Sequence, residues 1–323
     1  MNPSGAAAGL GLSAAASWGG SDFVGGLGAR RAPALLLVAT GHIFSLLVLL
    51  ALCLGIRIAV PGPPYLVYAA LGGFEGSLAL AVFYRALAMG AMGLTAALTG
   101  LLTALVPVLF SLFRYGLPAP LTTVGLAMGL TAIWLITHAT AAKSPEEKTA
   151  KFRVPHPFSV LCEKGGKPQH STGQVLDERT APEAKAITTP AVALLLGALA
   201  GVGFGTQLIL FKMASPGGVL WTITSARAAG SVALLLVLVA MPPKGPWKGF
   251  WLTGILTGAL DTIGNLFYLR ATQVGRLDVS ALVCSLYPAG TILLAALVLR
   301  EWPTRRQLAG MALAMAAVAL LSV

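Results

Sequence analysis

Long apolar runs separated by short breaks dominate the chain. Runs of span length occur near residues 6–28, 33–56, 65–87, 92–113 and 118–140, and again near 190–211, 218–241, 249–270, 277–299 and 303–323. A hydrocarbon layer of about 30 Å takes about 20 helical residues, so each run is predicted to be a transmembrane helix. The breaks are charged or turn-like: Arg30-Arg31-Ala32-Pro33, Pro61-Gly62-Pro63-Pro64, Tyr115-Gly116-Leu117-Pro118 and Met241-Pro242-Pro243-Lys244. Such residues punctuate helices. The expected fold is an all-α integral membrane protein of ten helices with one polar connection.

Sliding the chain on itself by 185 residues matches Gly20 with Gly205, Arg85 with Arg270, Ala86 with Ala271, Gly90 with Gly275, Pro118 with Pro303 and Gly125 with Gly310. These identities fall at corresponding span ends and turns without a gap. Residues 1–138 and 186–323 are therefore expected to be two copies of a five-helix unit, joined by residues 139–185. Five is odd, so the second copy enters the membrane from the opposite side. Inverted repeats of this kind are typical of secondary transporters.

Composition sharpens this picture. The 323 residues have a mean hydropathy of +0.82 and only 10% charged residues, against about 25% in soluble domains. Residues 143–187 alone hold 14 of the 33 charged side chains, with no sustained apolar period, and are expected to be disordered. The net charge of +11 would suggest nucleic acid in a soluble protein. Here the basic residues flank apolar runs, as topology demands, so no nucleic-acid partner is expected. Cys53 and Cys284 lie in apolar runs and Cys162 is alone in the loop, so neither a disulfide nor a zinc site is indicated. The first run lacks a charged n-region and is read as a retained span rather than a signal peptide. HExxH, GxSxG and phosphate-loop motifs are absent and the four histidines are scattered. An enzyme, a metal and a cofactor are not expected. Transport would run on an ion gradient or on the substrate's own gradient.

Carboxylates deep in apolar runs normally face a cavity or a partner. Asp22, Glu75 and Asp261 are the candidates for binding substrate or protons. In span eight, Thr257, Asp261, Asn265, Tyr268 and Thr272 make a polar stripe. Tyr287 shares a face of span nine with Ser280, Cys284 and Thr291; Thr95, Thr99 and Thr103 line span four. Such hydroxyl stripes also serve as interhelical glue. Gln207 occupies the place of Asp22 under the repeat, and Glu75 is one residue out of register with Asp261. Trp18 is deep enough in its run to line a cavity. Pro107 and Pro288 interrupt helix hydrogen bonding and are candidates for gating or kinks. Arg227 sits where His42 sits, and is either a counter-charge to a carboxylate or a surface-facing cation. No basic residue shares the Asp261 face of its own helix. Asp261 is therefore expected to be unpaired and open to a hydrated cavity, and Asp261→Asn to keep the fold. Asp278 and Glu301, near span ends, are expected to face water.

Trp18-Gly19-Gly20-Ser21-Asp22-Phe23 resembles the opening of EamA-type transporters of the drug/metabolite transporter superfamily. Gly258-Ala259-Leu260-Asp261-Thr262-Ile263-Gly264-Asn265, Phe267-Tyr268-Leu269-Arg270-Ala271, Ser285-Leu286-Tyr287-Pro288, Leu299-Arg300-Glu301 and Gln307-Leu308-Ala309-Gly310 follow in the same order as in that family. The first copy departs from the pattern: Gly116 replaces the acidic residue of Glu301, and Thr103 holds the position of Pro288, with Pro107 one turn later. The resemblance implies a bacterial inner-membrane carrier that exports a small metabolite or drug, as a monomer or homodimer, with protons as a coupling ion. A lipid-handling protein or a structural membrane subunit is the alternative. The two topology arguments disagree. One side of the membrane collects 15 Lys/Arg, which predicts a cytoplasmic long loop. The resemblance implies cytoplasmic termini and an external loop. The reading follows the resemblance, because long segments are poor predictors of orientation.

Overall fold

A computed structural model describes residues 3–29, 32–88, 92–141, 190–243, 249–299 and 302–321. The first half forms α1 (Pro3–Ala29), α2 (Ala34–Gly55), α3 (Pro63–Ala88), α4 (Met92–Tyr115) and α5 (Pro120–Ala141). The second forms α6 (Pro190–Ala214), α7 (Val219–Ala240), α8 (Phe250–Val274), α9 (Leu277–Cys284), α10 (Tyr287–Leu299) and α11 (Arg305–Leu321). No strand occurs among the described residues. Most of the polar connection at 139–185, the Arg85 and Thr95 side chains, and Glu301 lie outside the described residues.

Nine of the expected runs each form one helix, and the ninth forms two. Pro288 is responsible. Its ring excludes the carbonyl four residues back and it has no N–H to donate. The chain leaves α9 through tighter bonds, Leu286 N–H to Val283 O at 3.2 Å and Ala289 N–H to Leu286 O at 2.9 Å. Pro107, in contrast, lies inside α4 without ending it.

Among the described residues, six segments are long and apolar enough to cross a membrane, including Ala34–Gly55, Val219–Ala240 and Leu277–Val298, the last taken across the α9–α10 break. The protein is thus a multi-pass, all-α membrane protein. α11 has 17 residues. α8 carries the polar stripe.

Packing runs mainly between the halves. α1 lies on α8 and α3 on α6; α2 crosses α7 and α8; α3 crosses α7; α4 meets α6, and α1 meets α9 and α10; α5 pairs with α11. Two crossings bring backbone closest to backbone. A Cβ on Gly258 would stand 2.3 Å from the Gly41 Cα, and one on Gly73 would stand 2.4 Å from the Ala226 Cα. Only small residues permit such approach. The two crossings correspond under the 185-residue offset, Gly41 to Ala226 and Gly73 to Gly258.

One helix end departs from expectation. Asp278 does not face water. Its side chain is 0% exposed, accepts a 2.9 Å bond from Arg276 Nη2 and another of 2.9 Å from the Val279 N–H. Placing it in the first turn of α9 lets it satisfy a free helix N–H while Arg276 neutralises it. On the same side of the bundle, Gln273 donates to Ser215 O at 2.9 Å and Trp221 to Ile58 O at 3.1 Å, tying neighbouring turns together.

Candidate functional site

A cavity of about 110 Å³ lies where these crossings meet. One water needs roughly 10–15 Å³ on that measure, so the space holds several. Its polar floor comes from α2, α7 and α8. Arg227 donates through Nη2 to Asp261 Oδ2 and through Nη1 to His42 Nε2 at 2.8 Å. Arginine has no acceptor, so His42 accepts here and is neutral, with its proton on Nδ1. Asn265 Nδ2 donates 3.2 Å to the same Asp261 oxygen and 2.8 Å to the Asp261 carbonyl. The Arg227 side chain is 6% exposed and that of Asp261 34%, so the guanidinium is sealed and the carboxylate is partly open. Arg227 Nε and His42 Nδ1 are buried without hydrogen-bond partners.

Asp261 is therefore not the unpaired carboxylate expected from its own helix. Its partner arrives from α7, and Arg227 is a counter-charge rather than a surface cation. His42 and Arg227 are 185 residues apart, the repeat offset itself, and they touch.

The opposite wall holds Asp22 and Trp18 of α1, Gln207 of α6 and Tyr287 of α10. Asp22 has no hydrogen bond or ion pair among the described residues. Trp18 stands edge-on to Tyr287, with ring centres 6.5 Å apart, and 6.0 Å from Tyr268. Gly264 makes room for the indole, since a Cβ there would lie 2.5 Å from Trp18 Cδ1. Phe83 and Phe204 meet at 6.0 Å and 77° on the same cavity.

Trp18, Asp22, Gln207, Asp261, Asn265 and Tyr287 thus come together. The cavity lining does not include Glu75, Tyr268, Pro107 or Pro288. Gly76, not Glu75, is the repeat counterpart of Asp261 and lines the cavity. One residue of register is a 100° turn, and Glu75 lies half-buried beside Gly203 of α6. Tyr268 is fully buried and donates 2.7 Å to Leu208 O, a packing role. Pro288 opens α10 beside Gly100 of α4. Two of the hydroxyls are glue: Thr99 Oγ1 donates to Gly197 O at 2.8 Å and Thr291 Oγ1 to Gly19 O at 3.2 Å. His42, Phe83 and Phe204 are lining residues that sequence reasoning missed. The 185-residue offset, which pairs His42 with Arg227 and Phe83 with Tyr268, was the available signal. No group of three potential metal ligands occurs among the described residues.

The fold and this site define a multi-pass helical membrane protein with a charged, aromatic-walled cavity between its halves. Residues 191–323 match the model of the EamA-like transporter family, and the recognition drawn from the motifs holds through that half of the chain. That family is one of drug/metabolite-type transporters. A solved structure described as "Crystal structure of protein" is similar over 97% of this chain and 95% of its own, with a TM-score of 0.66 and 19% identity. At that identity the likeness is one of fold. No curated protein matches.

Proposed function

We propose that the protein is a secondary transporter that exports a small metabolite or drug by alternating access. The observation that carries this reading is the ion-paired cavity between the halves, with two repeat-equivalent residues, His42 and Arg227, in contact inside it. Two groups separated by the repeat offset touch only on a pseudo-twofold axis. The helix pairs support the same symmetry. Exchanging the halves converts α1–α8 into α6–α3, α2–α8 into α7–α3, and α4–α6 into the α1 contact with α9 and α10. The unit is then two inverted five-helix repeats, residues 1–138 and 186–323, that rock about a central site.

In this reading Asp22 and Asp261 are the polar centre, and Gln207, Asn265, Trp18 and Tyr287 complete the substrate walls. The α9–α10 break at Pro288 supplies a hinge, with Pro107 its static counterpart in α4. Protons are the coupling ion. The protein lies in a bacterial inner membrane with cytoplasmic termini. A charged centre has no use in a structural subunit, and the described residues hold no group of three potential metal ligands for lipid chemistry.

Flux into proteoliposomes, with an imposed pH gradient and a panel of amino acids, sugars, nucleosides and organic cations, tests the reading. Movement of at least one class above protein-free vesicles is expected. Folded protein that moves none of them overturns it. For orientation, a reporter fused after Val323 that works only in the periplasm refutes cytoplasmic termini.

A further inference from the structure

We propose that the cavity binds an organic cation, a small amine or quaternary ammonium with an apolar group, using Asp22 as counter-ion and the rings of Trp18, Tyr287, Phe83 and Phe204 as walls. It deepens the transport reading and rests on it only for the step from binding to movement.

The charge inventory leads here. Two carboxylates and one guanidinium face the cavity, and the imidazole beside them is neutral. With Asp22 ionised, the lining carries one negative charge that no described cation pairs. Arg227 is paired with Asp261 and His42 rather than with Asp22, and its side chain is only 6% exposed. No other Lys or Arg lines the cavity; Lys212 donates to Thr272 O, Arg276 holds Asp278 and Arg270 donates to exposed Gln273. Asp22 stands seven residues from the end of α1, about 10 Å along the helix axis. A carboxylate at that depth takes up either a proton or a counter-charge.

The walls specify the kind of cation. Four rings from α1, α3, α6 and α10 line the space, and Trp18 meets Tyr287 at 90° while Phe83 meets Phe204 at 77°. Ring faces at steep angles form the sides of a box. Ring faces attract cations, and aromatic boxes suit alkylated ammonium groups, which shed water readily. A metal ion would instead need several oxygen ligands. An anion would meet two carboxyl groups, with the one guanidinium of the lining already paired to Asp261.

Calorimetry on the full-length protein in detergent, with benzyltrimethylammonium, its uncharged isostere neopentylbenzene and benzoate, tests this. Saturable binding of the ammonium is expected, at least about tenfold tighter than the isostere. Asp22→Asn should remove that preference, while Arg270→Gln, at the exposed helix end, should keep it. If Asp22→Asn does not fold, Trp18→Leu keeps the charge and removes a ring, and should weaken the ammonium more than the isostere. Equal binding of ammonium and isostere, unchanged binding in Asp22→Asn, equal losses in Trp18→Leu, or preferred binding of benzoate each overturn the proposal. Flux separates the two readings. Ammonium that binds but never crosses leaves the site standing and removes the transporter. Flux of a neutral or anionic solute without ammonium binding does the reverse.

Discussion

Replacing Asp261 by Asn strips the counter-charge from a guanidinium whose ion pair among the described residues is with Asp261. The side chain of Arg227 is 6% exposed, so water does not replace the lost partner. Breaking a buried ion pair costs about 3–5 kcal/mol. The Asp261 side chain is 34% exposed, so the pair is already partly hydrated, and Asn can still accept one N–H. The low end, about 3 kcal/mol, is therefore expected. At about 2–4 °C per kcal/mol for a chain of this order, the midpoint of unfolding falls by about 6–12 °C. Arg227→Met should cost less, about 1–2 kcal/mol, because the stranded carboxylate keeps Asn265 and the cavity water. The double variant has no stranded charge and should be less destabilised than the sum of the two singles by about 2 kcal/mol. Cys53 and Cys284, both 0% exposed, provide the assay. In a Cys162→Ser background, a thiol-reactive fluorogenic dye reports only unfolding in detergent. An Asp261→Asn midpoint within about 2 °C of the parent, or strict additivity in the double variant, would refute the argument.

Three further outcomes follow from the packing. Gly258→Val should force α2 and α8 apart, because its Cβ would stand 2.3 Å from Gly41 backbone; the loss is about 3 kcal/mol or more, read as a missing monodisperse peak in size exclusion. Gly26→Ala meets nothing within 4 Å and should stabilise α1 by about 0.5–1 kcal/mol, seen as a raised midpoint. Tyr268→Phe loses its bond to Leu208 O and should cost about 1 kcal/mol while leaving substrate flux unchanged, since the ring lies outside the cavity.

The helices were legible because an apolar run long enough to span lipid has few alternatives. The break in the ninth run was not, since Pro107 and Pro288 carry the same local chemistry and only one ends its helix. The stripe on α8 correctly brought Asp261 and Asn265 to one face. It also enlisted Tyr268, which shares that face but lies seven residues, about 10 Å, further along the axis and past the cavity. A stripe reports angle, not depth. Glu75 failed in the other dimension, one residue being enough to turn it towards α6. The partner of Asp261 was hidden for a third reason. Arg227 is 34 residues away on another helix, and no local pattern states which faces of two helices will meet.

The contact of His42 with Arg227 bears on how such a chain arises. If the two halves descend from one duplicated five-helix unit, an ancestor built of identical chains met itself at this point. Two arginines there would repel, and two histidines would leave Asp261 without a cation. The present arrangement requires unlike residues at like positions, so duplication alone cannot produce it; divergence at these two codons must follow. A second half expressed alone would face its twin through Arg227 against Arg227 and should not form a stable pair. The two halves supplied as separate chains should find each other, because each carries what the other lacks.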